Sequence, residues 1–226
     1  MTLRHVAIAA LLATGLSAAN ADTLSYTSTA VAMTAADWSS FADLQQFDPS
    51  LGTLQAVKLE LFADLFGSAK AESRNNTAST ITLNLQATLK LLDPNDLSTV
   101  LVQATPLVTK VFQAGIKDGV VDYAGASGVS YGELGNSTSS QVVLSDAPML
   151  NLFTGTGSLN LPFAALGESQ VTGPGNIRFG FSTRAGGHAT VTYSFAAAPV
   201  PEPASWALMF AGIGMIGMLA SRRRKA

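Results

Sequence analysis

No cysteine occurs in the 226 residues, which excludes disulfides, thiolate metal sites, iron–sulfur clusters and cysteine nucleophiles together. Histidine is nearly as scarce, with only His5 and His188 present. His5 falls in a segment read below as removed, so any imidazole base would have to be His188. Charge is thin, at 12% of residues, against about a quarter in an ordinary globular chain. Between Asp22 and Ala198 eight Lys or Arg stand against fourteen Asp or Glu, with no basic cluster. Nucleic acid is excluded as a partner, because nothing there would neutralise its phosphates. The length allows one sizeable core between the chain ends and rules out a long multidomain enzyme.

The ends carry what composition lacks. Arg4 precedes an apolar run from Val6 to Leu12, and small residues follow as far as Ala19-Asn20-Ala21. A positive start, an apolar run too short to span a bilayer, and Ala19 and Ala21 in small-x-small spacing make residues 1–21 a secretory signal helix, cut by signal peptidase after Ala21. At the other end Pro201-Glu202-Pro203 leads into an uncharged run from Ala204 through Trp206 to Leu219 and Ala220, closed by Arg222, Arg223, Arg224 and Lys225. A helix of that length only just matches a hydrocarbon core of roughly 30 Å. Trp206 would lie at one interface and the basic tail at the cytoplasmic one, which puts the body across the inner membrane.

This three-part ending resembles the PEP-CTERM sorting signal of Gram-negative bacteria. The resemblance implies that an exosortase, an integral membrane enzyme, recognises Pro201, Glu202 and Pro203 and cuts near them. The body then passes outward to the cell surface or extracellular space, often into a polysaccharide-rich biofilm matrix. Two prolines hold Glu202 extended and outside the helix, as a protease-like site requires. An ordinary single-span anchor is the plain alternative. The domain reading is residues 1–21 signal, 22–198 secreted body and 199–226 sorting signal.

The body alternates rather than repeating at helical spacing. From Thr80 to Leu91, the apolar Ile81, Leu83, Leu85, Ala87, Leu89 and Leu91 interleave with Thr82, Asn84, Gln86, Thr88 and Lys90, predicting a half-buried strand. Ile177–Ser182 and Thr190–Phe195 alternate about Arg184-Ala185-Gly186-Gly187, predicting a hairpin. Val57, Leu59 and Leu61 alternate while Leu54 and Ala56 lie on the other phase, which predicts a bulge near Ala56. Further strands are expected over 24–33, 99–103, 107–112 and 150–161, and one or two helical turns at Ala35–Trp38 capped by Thr34. Asp48-Pro49-Ser50, Asp93-Pro94-Asn95-Asp96, Lys117-Asp118-Gly119, Gly125–Gly128 and Gly173-Pro174-Gly175 read as loops. The expected fold is all-β, an antiparallel β-sandwich or jelly roll.

Trp38-Ser39, then Gln46 through Leu54, and the strand that follows resemble the secreted β-sandwiches named choice-of-anchor domains, of the E type. That resemblance implies fold and export but lends no active site.

Candidate chemistry is sparse. Gly125-Ala126-Ser127-Gly128 departs from the nucleophile-elbow pattern, and His188 beside a glycine pair reads as an exposed turn residue. Fourteen acids offer chance carboxyl pairs for glycoside cleavage, none distinguished by spacing. Calcium has two weak candidates in turns, Asp93, Asn95 and Asp96 in one and Asp118 and Asp122 in the other, neither an EF-hand loop. Trp38, Tyr26, Tyr123, Tyr131 and Tyr193 are scattered, with Tyr193 on a core phase, and the sequons Asn75–Thr77 and Asn136–Thr138 read as surface loops. No catalytic residue and no cofactor is expected. The leading expectation is a non-enzymatic surface or matrix protein whose possible external partner is extracellular polysaccharide. A carbohydrate-binding module or glycan-acting enzyme is the alternative.

Overall fold

Long strands organise the chain. The computed structural model describes residues 21–198 and Gly212, and the elements within them are β1 (Ala21–Thr27), β2 (Val31–Ala35), β3 (Trp38–Gln45), a 3-10 turn (Pro49–Leu51), β4 (Gly52–Ser73), β5 (Ser79–Asp93), β6 (Asp96–Ala104), β7 (Leu107–Ala114), β8 (Gly128–Leu144), α1 (Ala147–Phe153), β9 (Ser158–Gly167), β10 (Gln170–Thr172) and β11 (Ile177–Ala197). One sheet runs β1-β11-β4-β8 with β2 also on β11. The other runs β10-β5-β9-β3 with β6 and β7 on the far side of β5. Paired strands are antiparallel in both. The expected all-β sandwich is present; the signal helix with Ala19, and the sorting segment apart from Gly212, lie outside the described residues, while Ala21 is the first residue of β1.

The core follows from the alternation. On β5 every apolar residue of the 81–91 series is at most 1% exposed, and on β4 Val57, Leu59, Leu61 and Ala63 face them from the opposite sheet, equally buried. Each such leucine stabilises the fold by about 1.5–3 kcal/mol relative to an exposed one. Phe47, Phe153 and Tyr193 close one end, with ring centroids 5.7 Å apart for Phe47–Tyr193 and 6.4 Å for Phe153–Tyr193. The bulge falls next to Ala56: Ser194 pairs with Ala56 and Phe195 with Leu54, so Gln55 is the extra residue.

Several expectations are corrected. The predicted hairpin at Gly186-Gly187 is one continuous strand, β11, paired with β4 along its whole length. Those glycines do not turn the chain; they let other backbones approach. A Cβ on Gly187 would lie 2.3 Å from the Phe62 carbonyl oxygen, and one on Gly186 2.8 Å from that of Val31. The strand expected over 24–33 is two, β1 and β2, broken where Ser28 turns its hydroxyl to accept from the Ala189 amide at 3.1 Å. The helical turn expected after Thr34 is instead a sharp corner between sheets. Asp37 adopts φ 69° and its carboxylate accepts from the Gly167 amide at 3.0 Å.

The segment 150–161 was expected as a strand, but its first part is helix α1. Asp146 caps it by accepting from the Met149 amide, proline lies in the first turn, and Leu150 and Phe153, three apart, face inward. Strand β8 was not anticipated, since Leu134–Gln141 is mostly Gly, Asn, Ser and Thr. The sequon Asn136–Thr138 therefore sits on a strand rather than in a loop.

Candidate functional site

The acidic turns use their oxygens locally. The Asp93 carboxylate accepts from the Asn95 amide at 2.8 Å. Asp96 accepts from the Ser98 amide at 3.0 Å, the Ser98 hydroxyl at 2.7 Å and the Thr99 hydroxyl at 2.8 Å. Those Ser98 and Thr99 bonds hold the Asp96 carboxyl below the usual carboxylate range. Asp118 and Asp122 accept from the amides of Val120 and Ala124. The structure brings Asp93, Asn95 and Asp96 together in one hairpin turn and Asp118 and Asp122 in another loop. It does not join the two groups, and among the described residues no three His, Asp or Glu side chains gather at metal-binding distance.

His188 is not at a turn. It sits mid-strand in β11 and stacks on Phe62 of β4 with rings 8° from parallel and 4.7 Å apart. Trp38 is half-buried, its indole N–H donating to the Ala185 carbonyl at 3.1 Å across the two sheets, its ring edge-on to Phe163. Tyr193 is core, as its phase predicted: fully buried, with its hydroxyl donating to the Gln45 carbonyl at 2.7 Å. Burial, with Tyr26 nearby, raises its phenol pKa well above the ordinary value.

Sequence reasoning missed two places. On the outer face of the first sheet, Lys70 and Glu72 project from the same side of β4, as residues two apart on a strand must. The β7–β8 loop folds over Glu72 and leaves it 0% exposed. One carboxylate oxygen accepts from the Tyr123 amide at 2.8 Å; the other has no hydrogen-bond partner among the described residues. Only glycine fits opposite, because a Cβ on Gly128 would lie 2.1 Å from that carboxylate. Tyr123 takes φ 59°, and its ring lies 4.3 Å beneath the Lys70 ammonium. Next to this cluster Ser68, Ser130, Gly180 and Ser182 line a shallow polar depression of about 400 Å³. Its ammonium and hydroxyls can hydrogen-bond a polar ligand; Glu72 pins the loop.

The second place is an open groove of about 420 Å³ between β3, β9 and the β5–β6 turn. Phe41 and Leu97, each 64% exposed, line it with Pro162 and Asn160. Phe41, paired with Pro162 across the strands, is among the described residues the ring most open to stacking, ahead of Trp38. Its signal in the sequence was a phenylalanine on the polar phase of β3, between Ser40 and Ala42.

The body ends where the chain leaves β11. The Ala198 amide donates to the Leu51 carbonyl at 2.9 Å, and a Cβ on Gly52 would lie 2.0 Å from the Ala196 carbonyl oxygen, so the last residues cross directly over the 3-10 turn. From residue 199 to residue 225 the sequence matches the model of the PEP-CTERM protein-sorting motif. The chain carries a PEP-CTERM sorting motif. That motif marks an exported bacterial protein, processed by an exosortase and directed to the envelope or cell surface. No curated protein matches the chain. Among solved structures, a mutant VP2 protein of infectious bursal disease virus in derived T=1 particles overlaps at 12% identity and a TM-score of 0.17, over 78% of this chain and 36% of that one. The VP2 subviral particle of the same virus overlaps at 13% identity and a TM-score of 0.16, over 78% and 37%. The chain thus spans about a third of those proteins' length, and overlaps this loose carry no argument about fold or role.

Proposed function

We propose that this chain is a non-enzymatic cell-surface or extracellular-matrix protein of a Gram-negative bacterium, associated with exopolysaccharide or biofilm. Signal peptidase cuts after Ala21, and an exosortase removes the membrane helix that begins near Ala204. The body, 22–198, is a choice-of-anchor type sandwich that works through its surface and needs no cofactor. One observation carries the reading: the sorting motif begins at residue 199, immediately after the body is tied down at Ala198. Three residues from Ala198 to Pro201 reach at most about 10 Å. The sandwich end that bears the 3-10 turn therefore sits close to the enzyme that cuts the motif.

The groove at Phe41 favours a second reading, a carbohydrate-binding module, because an exposed ring beside amide and hydroxyl groups suits the apolar face of a sugar. Intact mass of the exported protein tests the first reading: residues 1–21 and the segment after Pro203 should both be missing. A mass that retains Trp206–Ala226 on protein outside the cell would restore the simple anchor. A glycan array with a release assay on the producer's own polysaccharide tests the second. Binding lost in Phe41→Ala would establish the module, and sugar release abolished by one carboxylate substitution would overturn the non-enzymatic reading.

A further inference from the structure

Both edges of the first sheet lack a further strand, although β6 and β7 of the other sheet run close to β8 and the Asn136 side-chain amide donates to the Leu107 carbonyl at 2.9 Å. Strand β8 ends it on one side, and β1 with β2 ends it on the other. Along Leu134–Leu144 of β8 and along β1 and β2, no backbone hydrogen bond among the described residues reaches the outer side. Such rows of unpaired N–H and C=O groups template pairing with another chain unless lysine, proline or a bulge blunts them. Here Leu134–Leu144 of β8 contains no charged residue and no proline, and the β1 and β2 strands hold one charge, Asp22, and no proline. The one bulge of β8 lies beyond this stretch, near Gly132 and Glu133. In the other sheet the free strands β3, β6 and β7 are shorter than β8, and each carries a charge: Asp43, Asp96 and Lys110.

The two open edges also match each other. Leu134–Leu144 lies level with Gly67–Val57 of β4. Through β11, β1 lies level with Thr53–Glu60 of β4, and β2 with Ala63–Phe66. Because each strand in the order β1-β11-β4-β8 is antiparallel to the next, β1 and β8 run in opposite directions. A second copy moved sideways and turned by the accumulated twist of the sheet, with almost no slide along the strands, therefore sets its β1–β2 edge antiparallel to the β8 of the first. At most about eight backbone hydrogen bonds would form along that seam.

We propose that the protein assembles head to tail by strand addition, the β8 edge of one copy pairing with the β1–β2 edge of the next. Such a contact is head to tail, so each added copy still offers a free edge to the next, and repetition along the twist of the sheet gives an open helical filament. Ala21 pairs with Ala196, so the first and last described residues of the body lie at one end of the sandwich, and growth proceeds across the strands that lead to them. The inference concerns assembly, not sorting, and its failure would leave the export reading standing.

Sedimentation velocity and electron microscopy of the exported, processed protein across about a hundredfold range of concentration decide it. A growing series of oligomers is expected. Ser139→Lys with Gln141→Lys places two ammonium groups on exposed positions of β8 whose side chains make no hydrogen bond. That variant should raise the concentration needed for assembly by about tenfold or more with an unchanged thermal midpoint. Ser25→Lys, exposed on β1 and level with Val143 of β8, should do the same from the opposite edge and does not depend on β8 tolerating its lysines. A monomer at every concentration overturns the proposal. So does a dimer that stops growing, or assembly indifferent to both sets of lysines.

Discussion

Strands β5 and β8 are close in length, 15 and 17 residues, yet one is announced by its sequence and the other hidden. β5 lies at the middle of its sheet with neighbours on both sides, and its inward series is sealed by the opposite sheet. Alternation there is under physical constraint at every second residue. β8 is an edge, and along it only Gly128 and Leu134 are buried, so hydroxyl and amide side chains serve as well as apolar ones. A central strand is specified by what it must bury; an edge strand is specified by its neighbour's hydrogen bonds, which any side chain permits.

The hardest test of that contrast is a charge in the centre. Leu85→Lys should unfold the processed protein, because a buried unpaired ammonium costs several kcal/mol against a total of about 5–15. Asn84→Lys, one residue away and half-exposed, should cost under about 1 kcal/mol, chiefly through loss of the bond from Thr109 to the Asn84 amide oxygen. Thermal melts read both, and equal tolerance would mean that the burial pattern of β5 carries no weight.

A smaller effect separates glycines in the same two kinds of place. Gly187→Ala pushes a methyl against the Phe62 carbonyl and should destabilise by about 1–3 kcal/mol. Gly132→Ala in β8 meets nothing within 4 Å and should stay within about 0.5 kcal/mol. Urea denaturation midpoints at constant slope would show the difference, and a silent Gly187→Ala would argue that β11 and β4 do not approach as closely as described.

The smallest expected effect is at Tyr193. Tyr193→Phe removes the hydroxyl bond to Gln45 and should cost about 1 kcal/mol. The raised phenol pKa adds a signature in pH. Its stabilising contribution is complete below the unfolded-state value near pH 10 and is lost as pH rises from there toward the folded value. Melting temperature should therefore fall more steeply above about pH 10 in the parent than in Tyr193→Phe. Parallel alkaline profiles would show that Tyr193 is not the buried phenol that titrates.

Where the sequence misled, the cause was local chemistry read without its neighbours. Gly186-Gly187 resembles a turn, yet Ile177, Phe179 and Phe181 share odd numbering with Val191, Tyr193 and Phe195. A true two-strand hairpin had no need to keep that phase, so the continuous β11 was legible in hindsight. The Asp146-Ala147-Pro148 start of α1 is an equally readable cap set beside an apolar run whose spacing also suits a strand. Glu72 carried no such signal. Its burial depends on a loop about fifty residues later folding across β4, and a lone Lys-x-Glu on a strand reads as solvated charge.

By itself the sequence determined the all-β class, the central strands and their inward residues, the bulge next to Ala56 and the sorting motif from 199 to 225, because each rests on periodicity or on a short contiguous signal. Tertiary structure alone decided that Gly186 and Gly187 carry the strand straight on, that Glu72 is sealed under the β7–β8 loop, that Phe41 is the most exposed ring among the described residues, and that two charge-poor edges of one sheet stand level and antiparallel. Those depend on which backbones pass within a few ångströms of each other, a relation between residues distant in the chain that no local pattern encodes.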